Sequence, residues 1–412
     1  GFDSRHPLNV QPVRHNVPRP WRRLVMTIRG RPAGWQDRRV DPSRHSYPPK
    51  PLRIRGVPLS MIGPVRMYVC GITPYDVTHL GHAATYIWAD AVDRVLRWHG
   101  YAVTLARNVT DVDEVLYAEA ARRGESATML ATLQRANFEA TMATLRVRTP
   151  DYNPTASQAI GHILQLVAAL LERDAAYESG GSVYARTSGA AARAELDMET
   201  ALRLSREYHD HPDDPNKEHP LDVAVWVETS PGEASWPSPW GEGRPGWHAE
   251  CAAMVLSLFG TGVDVHCGGA DLAYPHHACE AVLAETATGV SPFARAWVRA
   301  GTVSIDGAKM AKSTGNLVLV DDLLRDYPPA AIRLLCLNRH WSDPWSFTRA
   351  ELDATAATLE QVYSAAAKPG QAGAGLVPST LLDDLNVPSA LELALDEGGQ
   401  AARTFVELLA LS

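Results

Sequence analysis

The chain has 412 residues, 45% of them hydrophobic and 21% charged, enough for a sizeable core and two or three domains, without the bias of a disordered, collagen-like or repeat protein. No apolar run reaches the length of about 18 residues that a membrane helix needs, and five scattered cysteines (Cys70, Cys251, Cys267, Cys279 and Cys336) argue against a disulfide scaffold and for a reducing, cytoplasmic setting. The net charge of −8 is uneven: residues 1–66 hold thirteen Arg and one Lys against three Asp, a net +11, so the rest carries −19 and is no electrostatic platform for a nucleic acid.

Residues 1–60 read as a basic extension, rich in Arg, His and Pro, with the run Tyr47-Pro48-Pro49-Lys50-Pro51. Proline fixes φ and removes donors, so an extended or disordered segment outside the catalytic unit is expected. Its removal is expected to leave activity largely intact. Met67–Ile72 is a short apolar run ended by Thr73-Pro74, the pattern of a buried strand. Residues 82–98 carry helical periodicity through Ile87, Ala91, Val95 and Trp98, closed by Gly100, and Tyr101–Ala106 reads as the next strand. Strand, helix, strand implies a parallel sheet. Helices are expected over 112–122, 126–146 and 155–173. Residues 174–246 are broken by Gly, Pro and charge, with short strands at 182–186 and 223–227. A helix at Trp247–Phe259, a strand at Val263–His266, a helix from near His276 and strands near 297–305 follow. Beyond Asn316 the pattern is helical: 321–326, 329–338, 347–366 and 379–411 with breaks.

Several blocks can carry chemistry. Thr78-His79-Leu80-Gly81-His82-Ala83 follows the first strand where a helix starts. A helix N-terminus offers free N–H donors and a positive dipole end to phosphate. Gly81 allows close backbone approach, and His79 and His82 can donate to phosphate oxygens as charge develops; two surface histidines fit the same pattern. Lys309-Met310-Ala311-Lys312-Ser313, between Gly307 and Gly315, reads as a clamp for leaving pyrophosphate or as a solvated basic turn. Cys70, Cys251 and His276, with Glu280 one turn after His276, make a thiol, imidazole and carboxylate set suited to tetrahedral zinc. Buried free cysteines are the alternative, and His277 and Cys279 compete as ligands. Trp247 stands one helical turn before Cys251. Gly268-Gly269-Ala270-Asp271 offers bare backbone to a nucleotide and a carboxylate to a ligand amine. Asn108-Val109-Thr110-Asp111-Val112-Asp113 ends a strand with polar groups, either a cap or a site lining.

In this order, the blocks resemble the catalytic domain of class I aminoacyl-tRNA synthetases. His79-Leu80-Gly81-His82 is similar to the family's HIGH motif, and Lys309–Ser313 to KMSKS, with Ala311 in place of the usual Ser. Cys70, Gly246-Trp247-His248-Ala249-Glu250-Cys251 and Pro275-His276-His277 are close to the cysteinyl-tRNA synthetase group. Gly71-Ile72-Thr73-Pro74-Tyr75-Asp76 and Gly81-His82-Ala83-Ala84-Thr85 look more like its mycothiol ligase branch; the tRNA enzymes usually read Gly-Pro-Thr-Val-Tyr-Asp and Gly-His-Ala-Arg there. The resemblance covers about residues 60–400.

It implies an α/β fold: a Rossmann-like parallel sheet over 61–320 with an insertion at about 150–225, then a helical bundle over 321–412 without an anticodon-binding domain. It also implies an ATP-dependent ligase, assisted by Mg2+, that activates L-cysteine as cysteinyl-AMP and joins it to the amine of glucosaminyl-inositol. A cysteinyl-tRNA synthetase, or a ligase for another amine or a carrier protein, is the alternative. By the resemblance His79, His82, Lys309 and Lys312 are catalytic, and Gly81, Gly269 and Lys312 join the histidines in ATP binding. Thr73, Thr110, Trp247 and Asp271 line the substrate pocket. Cys70, Cys251 and His276 hold one zinc, with Glu280 as a candidate fourth ligand that departs from the mycothiol ligase pattern. A monomer working without tRNA or membrane is expected, since the −19 region suits small substrates better than a polyanion.

Overall fold

The computed structural model describes residues 50–75, 77–229, 234–310 and 316–412. Residues 47–412 cluster as one compact unit. The expectations for residues 1–49, Ala311, Lys312 and Ser313 lie outside the described residues.

The chain opens with a small antiparallel pair, β1 (Arg53–Ile54) and β2 (Val57–Pro58). Then come β3 (Val65–Ile72), helix α1 (Leu80–Trp98) and β4 (Val103–Val109). Helices α2 (Glu114–Arg123), α3 (Ala127–Thr144) and α4 (Ile160–Glu172) follow. A four-stranded antiparallel sheet is built from β5 (Ala176–Ser179), β6 (Ser182–Ala185), β7 (Val223–Glu228) and β8 (Gly243–Pro245). Helices α5 (Gly189–Arg193) and α6 (Met198–Glu207) lie between β6 and β7. Next come α7 (Trp247–Phe259), β9 (Val263–Gly269), α8 (His276–Thr288) and β10 (Ala294–Ala300). The last part comprises β11 (Val303–Ile305), β12 (Ala308–Lys309), α9 (Val320–Asp326), α10 (Pro329–Leu337), β13 (Trp345–Ser346), α11 (Arg349–Ala367), α12 (Leu376–Leu381), α13 (Val387–Glu397) and α14 (Gly399–Leu408).

The central sheet is parallel, in the order β10-β9-β3-β4. Successive side chains on a strand face opposite sides, and this rule divides the core in two. Met67, Val69, Leu105, Val265 and Cys267 face the cluster that holds α1. Tyr68, Cys70 and Ala106 face the cluster that holds α7 and α8. The register aligns Tyr68 with His266, and His266 with Trp297. Cys70 therefore projects from the same face as His266, one pleat nearer the carboxyl ends of the strands.

Two expected boundaries move. The basic extension ends before residue 60: Leu52, Ile54 and Leu59 are buried in the main core, and the Arg53 N–H donates to the Leu382 carbonyl at 2.8 Å. Three apolar side chains at alternating or nearby positions are too little for a periodicity reading, but enough to dock. Deleting residues 1–60 should thus destabilise the protein, at roughly 1.5–3 kcal/mol for each buried Leu or Ile lost. The insertion also runs past 225, because β7 and β8 complete its antiparallel sheet up to Pro245. Its first hairpin turns through Gly180 and Gly181, both at positive φ, the two-residue turn that matches strand twist.

The C-terminal helices are tied to the sheet by Arg333 on α10. Its side chain is fully buried. The guanidinium donates to Asp90 of α1 at 2.7 Å, to the Leu145 carbonyl at 2.9 Å and to the Leu409 carbonyl at 2.9 and 3.1 Å.

Candidate active site and metal centre

Three donors gather where β3, α7 and α8 meet. Ligand atoms of Cys70, Cys251 and His276 all lie within 4.8 Å of one another, and all three residues are buried. Cys70 sits near the carboxyl end of β3, Cys251 in the second turn of α7, and His276 at the start of α8. The strand backbone is irregular here: the β3–β4 register shifts between Val69 and Ile72. The Asn108 side chain fills the shift, accepting from the Gly71 N–H at 2.7 Å and donating to the Cys251 sulfur at 3.3 Å. Gly71 is required, since a Cβ would stand 1.5 Å from the Asn108 carbonyl oxygen.

The donor chemistry fits zinc. Burial raises the Cys70 thiol well above its ordinary pKa, and the nearby Cys251 and Glu280 add to the rise. Sulfur and carboxylate donors this crowded ionise together only around a cation. The histidine is also set up as a ligand. His248 Nε2 lies 3.2 Å from both Asp210 carboxylate oxygens, so a neutral His248 donates there and keeps a lone pair on Nδ1. His248 Nδ1 is 2.9 Å from His276 Nδ1, which must then be the donor, leaving the His276 Nε2 lone pair for a metal. This is the outer-shell chain that orients a ligating imidazole. Burial, with His248 and His266 alongside, holds His276 well below the usual imidazole range, hence neutral. Asp210→Ala should weaken zinc binding by about 10–100-fold, read by competition with a chelator.

Glu280 falls in a different group from the one expected. It stands with Cys70, His266 and His277, whose ligand atoms also lie within 4.8 Å of one another. Its Oε1 is 3.1 Å from His266 Nε2, while Oε2 is buried without a hydrogen-bond partner. Trp247, expected to pack on substrate, stacks on the His276 ring at 4.1 Å between centroids and an angle of 17°. This stacking holds the His276 ring in place.

On the other side of the sheet end, His79 and His82 stack at 3.8 Å. The bare face of Gly81 is covered by His79, whose ring carbon would lie 3.0 Å from an added Cβ. Gly269 admits Asp271, whose carboxylate oxygen would lie 2.4 Å from a Cβ there. The Thr73 and Thr110 hydroxyls are 2.8 Å apart, and Thr110 also reaches the Ile72 carbonyl at 3.2 Å, so this pair bridges the carboxyl ends of β3 and β4. Lys309 ends β12, after a β11–β12 turn through Asp306 and Gly307 at positive φ. The chain beyond Asn316 returns to the histidine motif: Leu80 N–H donates to the Val318 carbonyl at 2.8 Å and Val320 N–H to the Thr78 carbonyl at 3.2 Å. Segments about 240 residues apart in sequence numbering are thus joined by main-chain bonds.

Sequence reasoning did not single out His266, Asp210 or Arg299 as site residues, and it left Asn108 between a cap and a site lining. A signal existed for His266 alone, because Tyr68-x-Cys70 and His266-x-Gly268 share the period of a strand face. The others depend on which strands pair and in what register.

Comparison with known proteins agrees with this arrangement. The family described as tRNA synthetases class I (C) catalytic domain matches residues 58–357. An L-cysteine:1D-myo-inositol 2-amino-2-deoxy-alpha-D-glucopyranoside ligase of Parafrankia sp. is 44% identical over 84% of this chain and 80% of that protein. One from Mycolicibacterium vanbaalenii is 44% identical over 82% of each. A cysteine–tRNA ligase of Dehalococcoides mccartyi is 39% identical over 74% of this chain and 67% of its own length. Among solved structures, methionyl-tRNA synthetase of Mycobacterium tuberculosis superposes with a TM-score of 0.56 at 16% identity, covering 85% of this chain and 82% of that one, a likeness of fold. With its thiol–imidazole group at the sheet end and this range of relatives, the chain belongs to the class I (C) tRNA synthetase catalytic-domain family, and within it to the L-cysteine:1D-myo-inositol 2-amino-2-deoxy-alpha-D-glucopyranoside ligases.

Proposed function

We propose that the protein joins L-cysteine to the amine of 1D-myo-inositol 2-amino-2-deoxy-glucopyranoside, with ATP cleaved to AMP and pyrophosphate. The observation that carries the reading is the Cys70, Cys251 and His276 group at the carboxyl ends of a parallel sheet, where α/β folds bind ligands. The cysteine carboxylate attacks the α-phosphate of ATP, pyrophosphate leaves, and the acceptor amine then displaces AMP to form an amide. No covalent bond to the enzyme is needed, so the residues act by positioning and charge stabilisation. Zinc held by the two thiols and His276 would bind the substrate sulfur as thiolate, a selection against serine that shape alone makes poorly. His79 and His82 face the phosphates, with Mg2+ on the triphosphate. Lys309 and Lys312 offset the charge of the leaving pyrophosphate. Asp271 takes the cysteine ammonium, and the Thr73–Thr110 pair lines the path between the two strands.

A cavity of about 910 Å3 opens beside the end of β4, lined by Asp111, Tyr117, Thr155, Ser157 and Trp236 among others. Arg135 and Arg244 line it too, so its hydroxyl, carboxylate and aromatic groups suit the polyol part of the acceptor rather than its positive charge. The acidic charge of the chain beyond residue 66 favours a small acceptor over tRNA, and the reading places a monomer in the cytoplasm. The catalytic unit is read as ending near 320, with the helices beyond it as a supporting bundle. Glu280 and the 39% identical relative favour cysteine–tRNA ligation as the second reading. Mass spectrometry after incubation with ATP, cysteine and either the amine or tRNA separates them: amide is expected, and cysteinylated tRNA without amide overturns the proposal.

A further inference from the structure

His276 and His277 are adjacent, buried, and both within reach of Cys70, yet their outer partners differ in kind. Behind His276 stands the acceptor chain through His248 to Asp210. Behind His277 stands Arg299, whose Nε lies 3.2 Å from His277 Nδ1. An arginine Nε–H can only donate. Nδ1 of His277 is therefore the acceptor, and in the neutral ring the proton sits on Nε2. That Nε2 is buried without a hydrogen-bond partner, and it lies over Gly268, where a Cβ would approach it to 2.7 Å.

A nitrogen that carries a proton is not a metal ligand. Were the tautomer reversed, Cys70, His266, His277 and Glu280 would offer a four-donor shell, saturated and without a position for substrate. Arg299 is poorly explained as a structural ion pair. Among the described residues His277 is its hydrogen-bond partner, its guanidinium lies 4.6 Å from the Trp297 ring centre, and the Glu280 carboxylate acts on it through its field without forming a contact ion pair.

We propose that Arg299 is a positioning residue that keeps the proton of His277 on Nε2, so that of the two adjacent histidines His276 alone ligates and the fourth position stays open for the cysteine thiol. This inference rests on the metal reading of Cys70, Cys251 and His276 given above.

The test uses the full chain loaded with cobalt(II) in place of zinc. A two-thiolate charge-transfer band that grows when L-cysteine adds a third thiolate is expected for the unaltered protein. A cobalt-loaded protein without thiolate bands overturns the metal reading itself. Arg299→Met frees His277 to present a lone pair, so the cysteine-induced growth should be lost. Adding His277→Gln, which keeps an N–H donor at that place, should restore it. An unchanged spectrum and full cysteine response in Arg299→Met overturn the inference while leaving the metal reading standing. Long-range 1H–15N correlation on the unaltered zinc-loaded protein gives an answer independent of how the variants fold: a proton on His277 Nε2 is expected, and one on Nδ1 overturns the inference.

Discussion

Cys251→Ala loses bound zinc and cysteine-dependent ATP–pyrophosphate exchange together, each by more than the roughly 10–100-fold typical of removing an outer-shell partner. Two features make the loss joint. Cys251 supplies one of three donors in the group with Cys70 and His276, and its sulfur is also the acceptor for Asn108, which bridges the shifted β3–β4 register. Metal analysis and exchange with labelled pyrophosphate check the prediction. Normal zinc content in the variant would remove Cys251 from the site.

Arg333→Met costs about 3–5 kcal/mol of stability, the range for breaking a buried ion pair by removing one partner. The substitution leaves Asp90 with Arg94 as its one remaining ion-pair partner among the described residues and orphans the buried Leu145 and Leu409 carbonyls, which places the loss at the lower end of that range. Denaturant unfolding midpoints measure it, and Asp90→Asn in the same background should recover part of the loss. The pair also sets an acid limit. Burial alone would raise the Asp90 carboxyl, but Arg333 and Arg94, with the Arg148 N–H, hold it below its ordinary 3.8. A depressed carboxyl contributes stability that is complete above the unfolded-state pKa and is lost as pH falls through the folded value. The Asp90–Arg333 contribution is thus present throughout the neutral range and disappears in acid below about pH 4, and Asp90→Asn should flatten that acid limb.

The central elements were legible because each carried its own period. Met67–Ile72 reads as a buried strand, and the helix expected at Trp247–Phe259 has those bounds in the structure. Short elements failed for a physical reason: β5 and β8 each hold four residues or fewer, and their pairing is decided by distant partners. Cys70, Cys251 and His276 stand out by donor type with buried free cysteines as the alternative, and only the resemblance favours the metal set, since no spacing connects positions 70 and 251. Their neighbours were hidden for the same reason, because Asp210 and Arg299 approach only once the insertion and β10 are folded around α7 and α8.

The alternation of β3 and β9 also sorts the thiols by reactivity. Cys267 lies on the α1 face and Cys336 within α10, both under apolar cover. Burial raises both, Cys336 to about 12 and Cys267 higher still, and a thiol that stays protonated is a poor nucleophile. Peroxides and alkylating reagents act on thiolates, so both are insulated, Cys267 by the pleat of β9 and Cys336 by the packing of α10; the Cys70 thiol is raised by burial as well, and what sets it apart is the donor group it faces. For the two sulfurs carried on strands, one strand period thereby sends Cys70 to the donor group and Cys267 into packing.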